Sequence, residues 1–439
     1  MTCESSTAPR VAYCTLGCRV NQYESDAIAA LMEADGFVVV PMGQEADITI
    51  VNTCTVTAES DRKSRQHIRR AAAANPGKPL IVTGCFAQVS PDAASAIPGV
   101  TAVIGNGHKA EIPAIARRLM DGLACETRTV TNMCLAAYDG LTLTTPRRSR
   151  SYIKIQDGCE NRCAYCIIPA ARGKIRSKQP QDVLAEATAL ADAGCREIIL
   201  TGIETAAYGR DSGGAFDLAG LMEQLNRIPG IERIGLGSLE PNLMREKFLS
   251  RIAPLKTVLP HFHVSLQSGS TSVLRRMRRP YNAEQAMDFI RAVREYFPDA
   301  MLTADVIVGF PGETEEEAAE TMAFCREARF LHLHIFPYSI RQGTEAAAMQ
   351  GQIPDALKRS RAAELAKQQA EIKRALLDSY VASHRDIPVQ VLIEEKKNGH
   401  LHGHSEHYVE VILPTKAGQI GEIVPVRLTK TDGDVCYGQ

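Results

Sequence analysis

Three cysteines lie close together in the stretch DGCENRCAYC. Cys159, Cys163 and Cys166 follow C-x3-C-x2-C spacing on a short loop directly after a predicted strand. A 4Fe–4S cluster normally takes four cysteine thiolates, so a loop that supplies three leaves one iron open to a substrate or cofactor. Zinc is the main alternative, but zinc sites usually pair two short C-x2-C units, and no matching second unit lies nearby in the sequence. The spacing therefore favours an iron–sulfur cluster.

Three further cysteines each come just after a predicted strand of the N-terminal region. Cys18, Cys54 and Cys85 follow the apolar runs VAYCTLG, ITIVNT and LIVTG. Parallel strands place their carboxyl ends side by side, so these loops are expected to bring the three thiols to one edge of a sheet. The alternative is three buried cysteines that act as small hydrophobic residues. The pattern predicts a second three-cysteine cluster.

Composition limits the class of protein. With 439 residues, two or three domains are expected, and with 45% hydrophobic and 23% charged residues the chain is typical of a soluble protein. We find no secretory signal and no apolar run of roughly 20 residues, which favours a cytoplasmic location. In that compartment a chain with thirteen cysteines is expected to use cysteine for metal ligation or catalysis rather than for a disulfide framework. The net charge of −1 means that any nucleic-acid site is local. Basic stretches at 147–154, 172–178 and 275–280 could contact phosphates or form solvated surface.

Short apolar runs and helical patterns alternate along most of the chain. Residues 11–123 predict a βαβαβ unit with a parallel sheet, and 152–339 predict six strand–helix units of an open α/β barrel, whose reactive residues belong at the carboxyl ends of the strands. Residues 355–383 predict a charged helix. From 386 onward, short alternating strands predict a small β-barrel, and the histidines of GHLHGHSEH are interpreted as loop residues rather than metal ligands.

The C-x3-C-x2-C loop resembles the signature of the radical S-adenosylmethionine superfamily, in which the open iron binds the methionine end of the cofactor. Both cysteine sets and the blocks TLGCRVNQYESDAI, VNTCTVT, IKIQDGCENRCAYCIIPAARGKIRS, GFPGET and FPYSIRQGT resemble the methylthiotransferases in their order. The resemblance implies two 4Fe–4S clusters, a 5′-deoxyadenosyl radical and replacement of C–H by C–S–CH3. It also implies a cluster domain at 8–123, a linker at 124–147, a radical domain at 148–375 and a TRAM-like RNA-binding domain at 376–439.

The resemblance also implies the ligands and the substrate. The cysteines of both sets would hold the clusters; the cofactor would be bound by Tyr165, Thr201, Gly202, Glu240 and Gln267, and substrate by Arg172 and Arg176. The block TLGCRVNQYES is similar to the MtaB-like group, which modifies N6-threonylcarbamoyladenosine at tRNA position 37 next to the anticodon. Isopentenyladenosine and a ribosomal-protein aspartate are the alternative substrates. The implied partners are tRNA, a sulfur donor and an electron donor such as flavodoxin or ferredoxin, with no membrane.

Two readings from other classes stay open on the sequence alone. A noncatalytic RNA-binding protein with a structural cluster would not cleave S-adenosylmethionine, and a zinc protein would be colourless. The C-terminal segment carries six Lys and Arg against eight Asp and Glu between residues 385 and 439, so it is not basic. RNA affinity is therefore expected to depend on the basic stretches between domains.

Overall fold

The computed structural model describes residues 8–123, 127–241 and 246–439. The chain divides into two compact units. Among the described residues, the first contains 8–123, 127–145, 157–161 and 166–178, and the second contains 146–156, 162–165, 179–241 and 246–439. The loop with Cys159, Cys163 and Cys166 is thus divided, because Cys163 belongs to the second unit and the other two cysteines to the first.

The first unit is built around a six-stranded parallel sheet in the order β2-β1-β3-β4-β5-β6. Its strands are β1 Arg10–Thr15, β2 Val38–Val40, β3 Ile48–Thr53, β4 Leu80–Gly84, β5 Ala102–Ile104 and β6 Arg128–Thr129. Its helices are α1 Arg19–Ala34, α2 Ala58–Ala74, α3 Cys85–Val89, α4 Pro91–Ser95 and α5 Ile112–Met120, and α6 Ile168–Arg172 also belongs here. The βαβαβ prediction is confirmed, with β2, β5 and β6 added at the sheet edges.

Both faces of this parallel sheet are covered by apolar side chains and helices. β3 and β4 are buried along their whole length, as expected for strands that helices cover on both sides. Ile48 and Ile81 belong to one buried cluster with helices α1 and α5, whereas Val51 and Val82 pack with helix α2 on the other face. The predicted linker contributes β6 to the sheet edge, and residues 124–126 of it lie outside the described residues.

An open α/β barrel forms most of the second unit. Strands β11-β10-β7 and strands β12-β13-β14-β15 form two parallel sheets, and β11 and β12 are one line of chain interrupted at Gly237. The strands are β7 Ser151–Lys154, β10 Glu197–Thr201, β11 Arg233–Leu236, β12 Ser238–Leu239, β13 His261–Gln267, β14 Met301–Val308 and β15 His332–Pro337; the short strands β8 Gln156–Asp157 and β9 Arg176–Ser177 lie beside the cysteine loop in the sequence. The prediction of six strand–helix units and a partial barrel is confirmed.

Helices follow the barrel strands in alternation. They are α7 Pro180–Asp192, α8 Leu218–Leu225, α9 Glu246–Ile252, α10 Thr271–Arg276, α11 Ala283–Tyr296, α12 Glu315–Ala328, α13 Glu345–Ala348 and α14 Asp355–Ser383. Capping boxes start α11 at Asn282 and α12 at Thr314, where side chains satisfy the first free amides. The predicted charged helix is α14, which begins and ends at the expected residues.

A curled, mainly antiparallel sheet follows helix α14, in the order β19-β16-β17-β18-β21-β20. Its strands are β16 Val389–Lys397, β17 His400–Ser405, β18 Glu410–Pro414, β19 Ile423–Val426, β20 Leu428–Thr431 and β21 Cys436–Gly438. The predicted small β-domain is confirmed as a half-barrel. The prediction that GHLHGHS is a loop is wrong, because β17 pairs with both β16 and β18. Within the described residues, no helix is long and apolar enough to cross a membrane.

Candidate active site

Cys18, Cys54 and Cys85 lie at one edge of the first unit's sheet. Cys18 is the N-cap of α1 just beyond β1, Cys54 directly follows β3, and Cys85 is the first residue of α3 after β4. β1, β3 and β4 are neighbouring parallel strands, so their carboxyl ends open on the same side. The structure therefore places the three cysteines where the sequence predicts them.

Tight backbone approach brings these loops together. Gly17 has a φ of +101°, and a Cβ atom at this position would lie 2.9 Å from the Sγ atom of Cys54. The side chain of Asn21 then donates to the carbonyl oxygen of Leu16 at 2.7 Å and to that of Thr53 at 2.9 Å. These bonds hold the Cys18 loop against the end of β3.

The three thiols influence one another electrostatically. Burial raises the pKa of Cys54 to about 11, and the nearby Cys85 adds to this shift. Cys18 is exposed as a residue, yet the protein around its thiol raises its pKa by desolvation; Arg172 opposes that shift and Cys85 adds to it. The raised pKa values of Cys18 and Cys54 mean that a cation is needed to hold these two thiols as thiolates. The donor set of three sulfur atoms fits an iron–sulfur cluster, for which iron supplies that charge.

A fully buried arginine stands beside this site. The Nε atom of Arg172 donates to the Sγ atom of Cys85 at 3.3 Å, and the guanidinium pairs with both oxygens of Glu24, one of them at 3.0 Å. The Nη2 atom of Arg172 also donates to the side-chain oxygen of Asn21 at 2.6 Å, and Glu24 forms a second ion pair with Lys109. Burial acts to lower the pKa of Arg172, but Cys85 and Glu24 raise it above its ordinary value, so the group stays charged.

The two arginines predicted to bind substrate are engaged inside the first unit. Arg172 has no exposed side-chain surface and makes the contacts described above. Arg176 donates to the carbonyl oxygens of Met133 and Lys174, each at 3.1 Å, and lies 3.6 Å from Asp157. A substrate role for either arginine stays a prediction, and the geometry gives their guanidinium groups partners within the protein.

Glycine shapes the start of the C-x3-C-x2-C loop. Gly158 has a φ of +76°, and a Cβ atom there would lie 1.8 Å from the carbonyl oxygen of Lys174. The amide of Cys159 donates to the carbonyl oxygen of Gly173 at 3.0 Å. Only glycine permits this approach, so residues 157–161 lie directly against the segment that follows α6.

Cys163 is held within the second unit. The Nη1 atom of Arg279 lies 3.0 Å from its Sγ atom. The next residue, Ala164, donates its amide to Met277 at 3.0 Å, and its carbonyl oxygen accepts from the amide of Ala346 at 2.7 Å. These contacts hold residues 162–165 against the barrel helices.

The residues predicted to bind the cofactor lie at or beside the carboxyl ends of the barrel strands. Thr201 ends β10 and Gly202 follows it; Glu240 follows β12, and Gln267 ends β13 with a φ of +68°. Tyr165 packs edge-on against Phe310, with ring centroids 6.5 Å apart. The structure therefore groups these positions on one end of the barrel, as expected for such folds. Their contacts with a cofactor stay predictions.

Two buried glutamates and one arginine dominate the charge at this end. Glu240 pairs with Arg279 at 2.6 Å. Burial raises the pKa of Glu204 to about 8, and the charge of Glu240 adds to that shift while Arg279 opposes it. Within the part of the chain that the structure describes, the Oε1 atom of Glu204 is buried without a hydrogen-bond partner. A cationic or proton-donating ligand group would supply the missing partner of this oxygen, so this end of the barrel fits the ammonium of an amino-acid cofactor.

Sequence reasoning missed Arg279 as a site residue. It lies in the stretch RRMRRP, which the sequence suggested as a phosphate contact or solvated surface. In the structure Arg279 is buried, and burial acts to lower its pKa while the neighbouring tyrosines and Glu240 raise it. Arg276 of the same stretch pairs with Glu317 at 2.6 Å. Arg279 also donates to the hydroxyl of Tyr281, which in turn donates to the carbonyl oxygens of Ser265 and Leu266 at the end of β13.

A groove of about 710 Å³ lies elsewhere in the second unit, between the start of β7 and the curled sheet. Arg147 and Arg148 line it on one side, and His402, His404 and Glu394 on the other. Arg150 lies next in the chain to the lining segment 146–149, and it pairs with Glu197 at 3.1 Å and with Glu394, which lines the groove. The groove joins basic and acidic groups, so it is not a simple anion site.

Comparison with known proteins identifies the family. Residues 153–325 match the radical SAM superfamily, and residues 10–105 match the uncharacterized protein family UPF0004. The chain is 38% identical over 98% of its length to threonylcarbamoyladenosine tRNA methylthiotransferase MtaB of Bacillus subtilis, covering 96% of that protein. The chain belongs to the radical SAM methylthiotransferase family. Like other members, this methylthiotransferase uses S-adenosylmethionine and carries two 4Fe–4S clusters.

Two further relatives and one solved structure are also similar to this chain. The chain is 36% identical to the MtaB protein of Aquifex aeolicus over 80% of this chain and 86% of that one. It is also 37% identical to tRNA-2-methylthio-N(6)-dimethylallyladenosine synthase of Streptomyces viridosporus, over 82% of this chain and 72% of that one. Among solved structures, the radical S-adenosylmethionine methyltransferase TsrM of Kitasatospora setae has a TM-score of 0.54 at 15% identity, covering 86% of this chain and 90% of that one. That likeness shows the fold.

Proposed function

We propose that this methylthiotransferase converts N6-threonylcarbamoyladenosine at tRNA position 37, next to the anticodon, to its 2-methylthio derivative. The observation that carries the proposal is the near-complete match to an MtaB relative by a chain whose sequence contains both three-cysteine sets. An anticodon-loop purine is single-stranded, so its ring edge can be presented to a pocket. The net change replaces an aromatic C–H bond with C–S–CH3.

Each cluster has its own set of ligands in this proposal. Cys159, Cys163 and Cys166 would hold the cluster whose fourth iron position binds S-adenosylmethionine, and Cys18, Cys54 and Cys85 would hold the second cluster. When bound, these groups supply hydrogen abstraction, sulfur and methyl transfer, using two molecules of S-adenosylmethionine. The protein's own contribution is to position them and to exclude water.

The barrel residues have positioning roles. Thr201 and Gly202 would contact the methionyl ammonium, Glu240 and Gln267 would bind the ribose and the methionine end, and Tyr165 would lie near the adenine. Arg279 forms an ion pair with Glu240 at 2.6 Å and donates to the thiol of Cys163. It would therefore connect Glu240, the proposed cofactor-binding carboxylate, to the loop that carries Cys163. Glu204 is a further candidate for binding the ammonium group, because its Oε1 atom is buried without a hydrogen-bond partner among the described residues.

The reaction also needs partners. A reduced flavodoxin or ferredoxin would deliver electrons, and a separate donor would supply sulfur. A tRNA substrate favours a cytoplasmic location.

The second candidate substrate is isopentenyladenosine, because a dimethylallyladenosine synthase is 37% identical over 82% of this chain. Reconstituted enzyme with dithionite and S-adenosylmethionine should be incubated with tRNA that carries either modified adenosine, and the nucleosides analysed by mass spectrometry. A methylthio product from the threonylcarbamoyl tRNA alone is expected. A product from the isopentenyl tRNA alone would transfer the function to the second substrate, and Cys163→Ala should abolish either product.

A further inference from the structure

Three neighbouring barrel strands present an imidazole-rich face. His263 lies on β13, Asp305 on β14 and His334 on β15. The parallel register pairs Asp305 directly with His334, and His263 with Thr303. Phe262 and Val264, which alternate with His263, are fully buried in the opposite direction. His263, Asp305 and His334 therefore share one face of the sheet.

The potential ligand atoms of these side chains converge. A ring nitrogen of each histidine and a carboxylate oxygen of Asp305 all lie within 4.8 Å of one another. The Nε2 atom of His263 is 3.2 Å from the Oδ2 atom of Asp305, and the rings of His263 and His334 have centroids 5.5 Å apart. A separation near 3.2 Å matches two ligands of one metal ion, since metal–nitrogen and metal–oxygen bonds are about 2.0–2.2 Å.

The second nitrogen of His263 is already engaged. Its Nδ1 atom lies 2.8 Å from the Oγ1 atom of Thr303, whose hydroxyl also lies 3.1 Å from the Nε2 atom of His261. When Thr303 donates to His261 and accepts from His263, the Nε2 atom of His263 presents its lone pair toward Asp305. Metal-binding histidines usually have their other ring nitrogen fixed in this way. Two acceptors facing each other at 3.2 Å require a cation or a proton between them.

Burial decreases across the three residues. His263 is buried, Asp305 is half-buried and His334 is exposed. Two histidines and one carboxylate form a donor set for divalent transition metals, and three protein ligands leave further coordination positions. Those positions would lie on the exposed side, beside His334.

We propose that His263, Asp305 and His334 bind one divalent transition metal ion of the zinc class, separate from both iron–sulfur clusters. The site has no sulfur ligand, which distinguishes it from either cysteine set. Its open positions accept oxygen or nitrogen donors, such as water or a carboxylate. The proposal does not depend on which tRNA nucleoside the enzyme modifies.

The test uses the enzyme with both clusters reconstituted, because free cysteine thiols would otherwise take up zinc. Protein is freed of loose metal, incubated with zinc chloride, passed through a desalting column and analysed for zinc by mass spectrometry. X-ray absorption at the zinc edge then reports the ligands without interference from iron. Asp305→Asn and His334→Ala are the test variants. His400→Ala is the matched control, since His400 is an exposed histidine on β17 of the curled sheet and does not belong to the group.

One zinc per chain is expected for the unaltered enzyme and for His400→Ala, with nitrogen and oxygen ligands and imidazole scattering. His334→Ala and Asp305→Asn should each reduce retained zinc at least tenfold while keeping iron content and circular dichroism unchanged. The proposal is overturned if the unaltered enzyme retains no zinc, if the zinc has sulfur ligands, or if both variants retain zinc as well as the control does. In those cases His263 and Asp305 form an ordinary hydrogen-bonded pair.

Discussion

At the scale of single residues, the buried guanidinium of Arg172 contacts the thiol of Cys85 and pairs with Glu24 and Asp157. Its partners Glu24 and Asp157 would be left in the interior with less compensation if the guanidinium were removed. We expect Arg172→Gln to lower the free energy of unfolding by about 3–5 kcal/mol, the usual cost of breaking a buried pair. Urea unfolding of the iron-free protein measures this change. Arg62→Gln breaks an exposed pair with Glu59 and should have no measurable effect; equal midpoints for both variants would contradict the assignment.

The raised pKa of Glu204 gives a prediction in pH. The folded protein holds this proton up to about pH 8, whereas the unfolded chain releases it near the ordinary value of 4.5. Stability is therefore lost as pH rises between these values, because the folded state binds more protons than the unfolded state. Glu204→Gln removes this loss, so its stability relative to the unaltered protein should rise by a few kcal/mol from pH 5 to pH 8, since one pKa unit is about 1.4 kcal/mol. Urea unfolding of the cofactor-free protein at both pH values measures it. Glu371→Gln, which changes an exposed side chain on α14, is the control. A stability difference for Glu204→Gln that varies with pH no more than that of the control would refute the shift.

At the scale of elements, the loop that begins at Gly158 depends on a close backbone contact. Gly158→Ala would place a methyl group 1.8 Å from the carbonyl oxygen of Lys174 and would also strain a φ of +76°. We expect the variant to lose about half of its bound iron, because the loop carries one of the two proposed ligand sets. Gly140→Ala is the control: its φ is +64°, but no atom lies within 4 Å of the added methyl group. If both variants kept their iron equally, the close contact would not be needed for the cluster.

Elements with strong apolar patterns could be predicted from the sequence, and those formed by partners could not. The buried runs ITIVNT and LIVTG predict β3 and β4 because their burial is written in consecutive apolar residues. Strand β17 has the sequence HLHGHS, and it becomes a strand only because β16 and β18 pair with it on both sides. Arg279 shows the same limit for the site, since its burial depends on Glu240, nearly forty residues away in the chain.

At the scale of the whole molecule, the basic stretches contribute less to the surface than their sequence suggests. Arg150, Arg172 and Arg279 are all buried in ion pairs. Arg148 is exposed beside the groove of the second unit, so it is the better candidate for a phosphate contact. We expect Arg148→Gln to weaken tRNA binding and to reduce its salt dependence by about 0.7–0.9 in the slope of log K against log salt. Filter binding at salt concentrations from about 50 to about 200 mM, where affinity for nucleic acid falls steeply, measures this slope.

A matched control separates this effect from net charge. Arg291→Gln removes one positive charge from an exposed pair with Asp288 on helix α11. This variant should bind tRNA with an unchanged slope. Equal slopes for Arg148→Gln and the unaltered enzyme would remove the groove from the binding surface.

The central claim is that this chain holds two clusters on two separate sets of three cysteines and uses both to methylthiolate tRNA. The most direct test is iron and sulfide quantitation of the anaerobically reconstituted enzyme, of Cys18→Ala/Cys54→Ala/Cys85→Ala and of Cys159→Ala/Cys163→Ala/Cys166→Ala, with nucleoside mass spectrometry of the tRNA product. We predict about eight irons for the unaltered enzyme and about four for each triple variant, as two four-iron clusters require. Of the two triple variants, only the one that lacks Cys18, Cys54 and Cys85 should still cleave S-adenosylmethionine. Neither triple variant should form the 2-methylthio product. About four irons in the unaltered enzyme, unchanged when Cys18, Cys54 and Cys85 are replaced, would contradict the account.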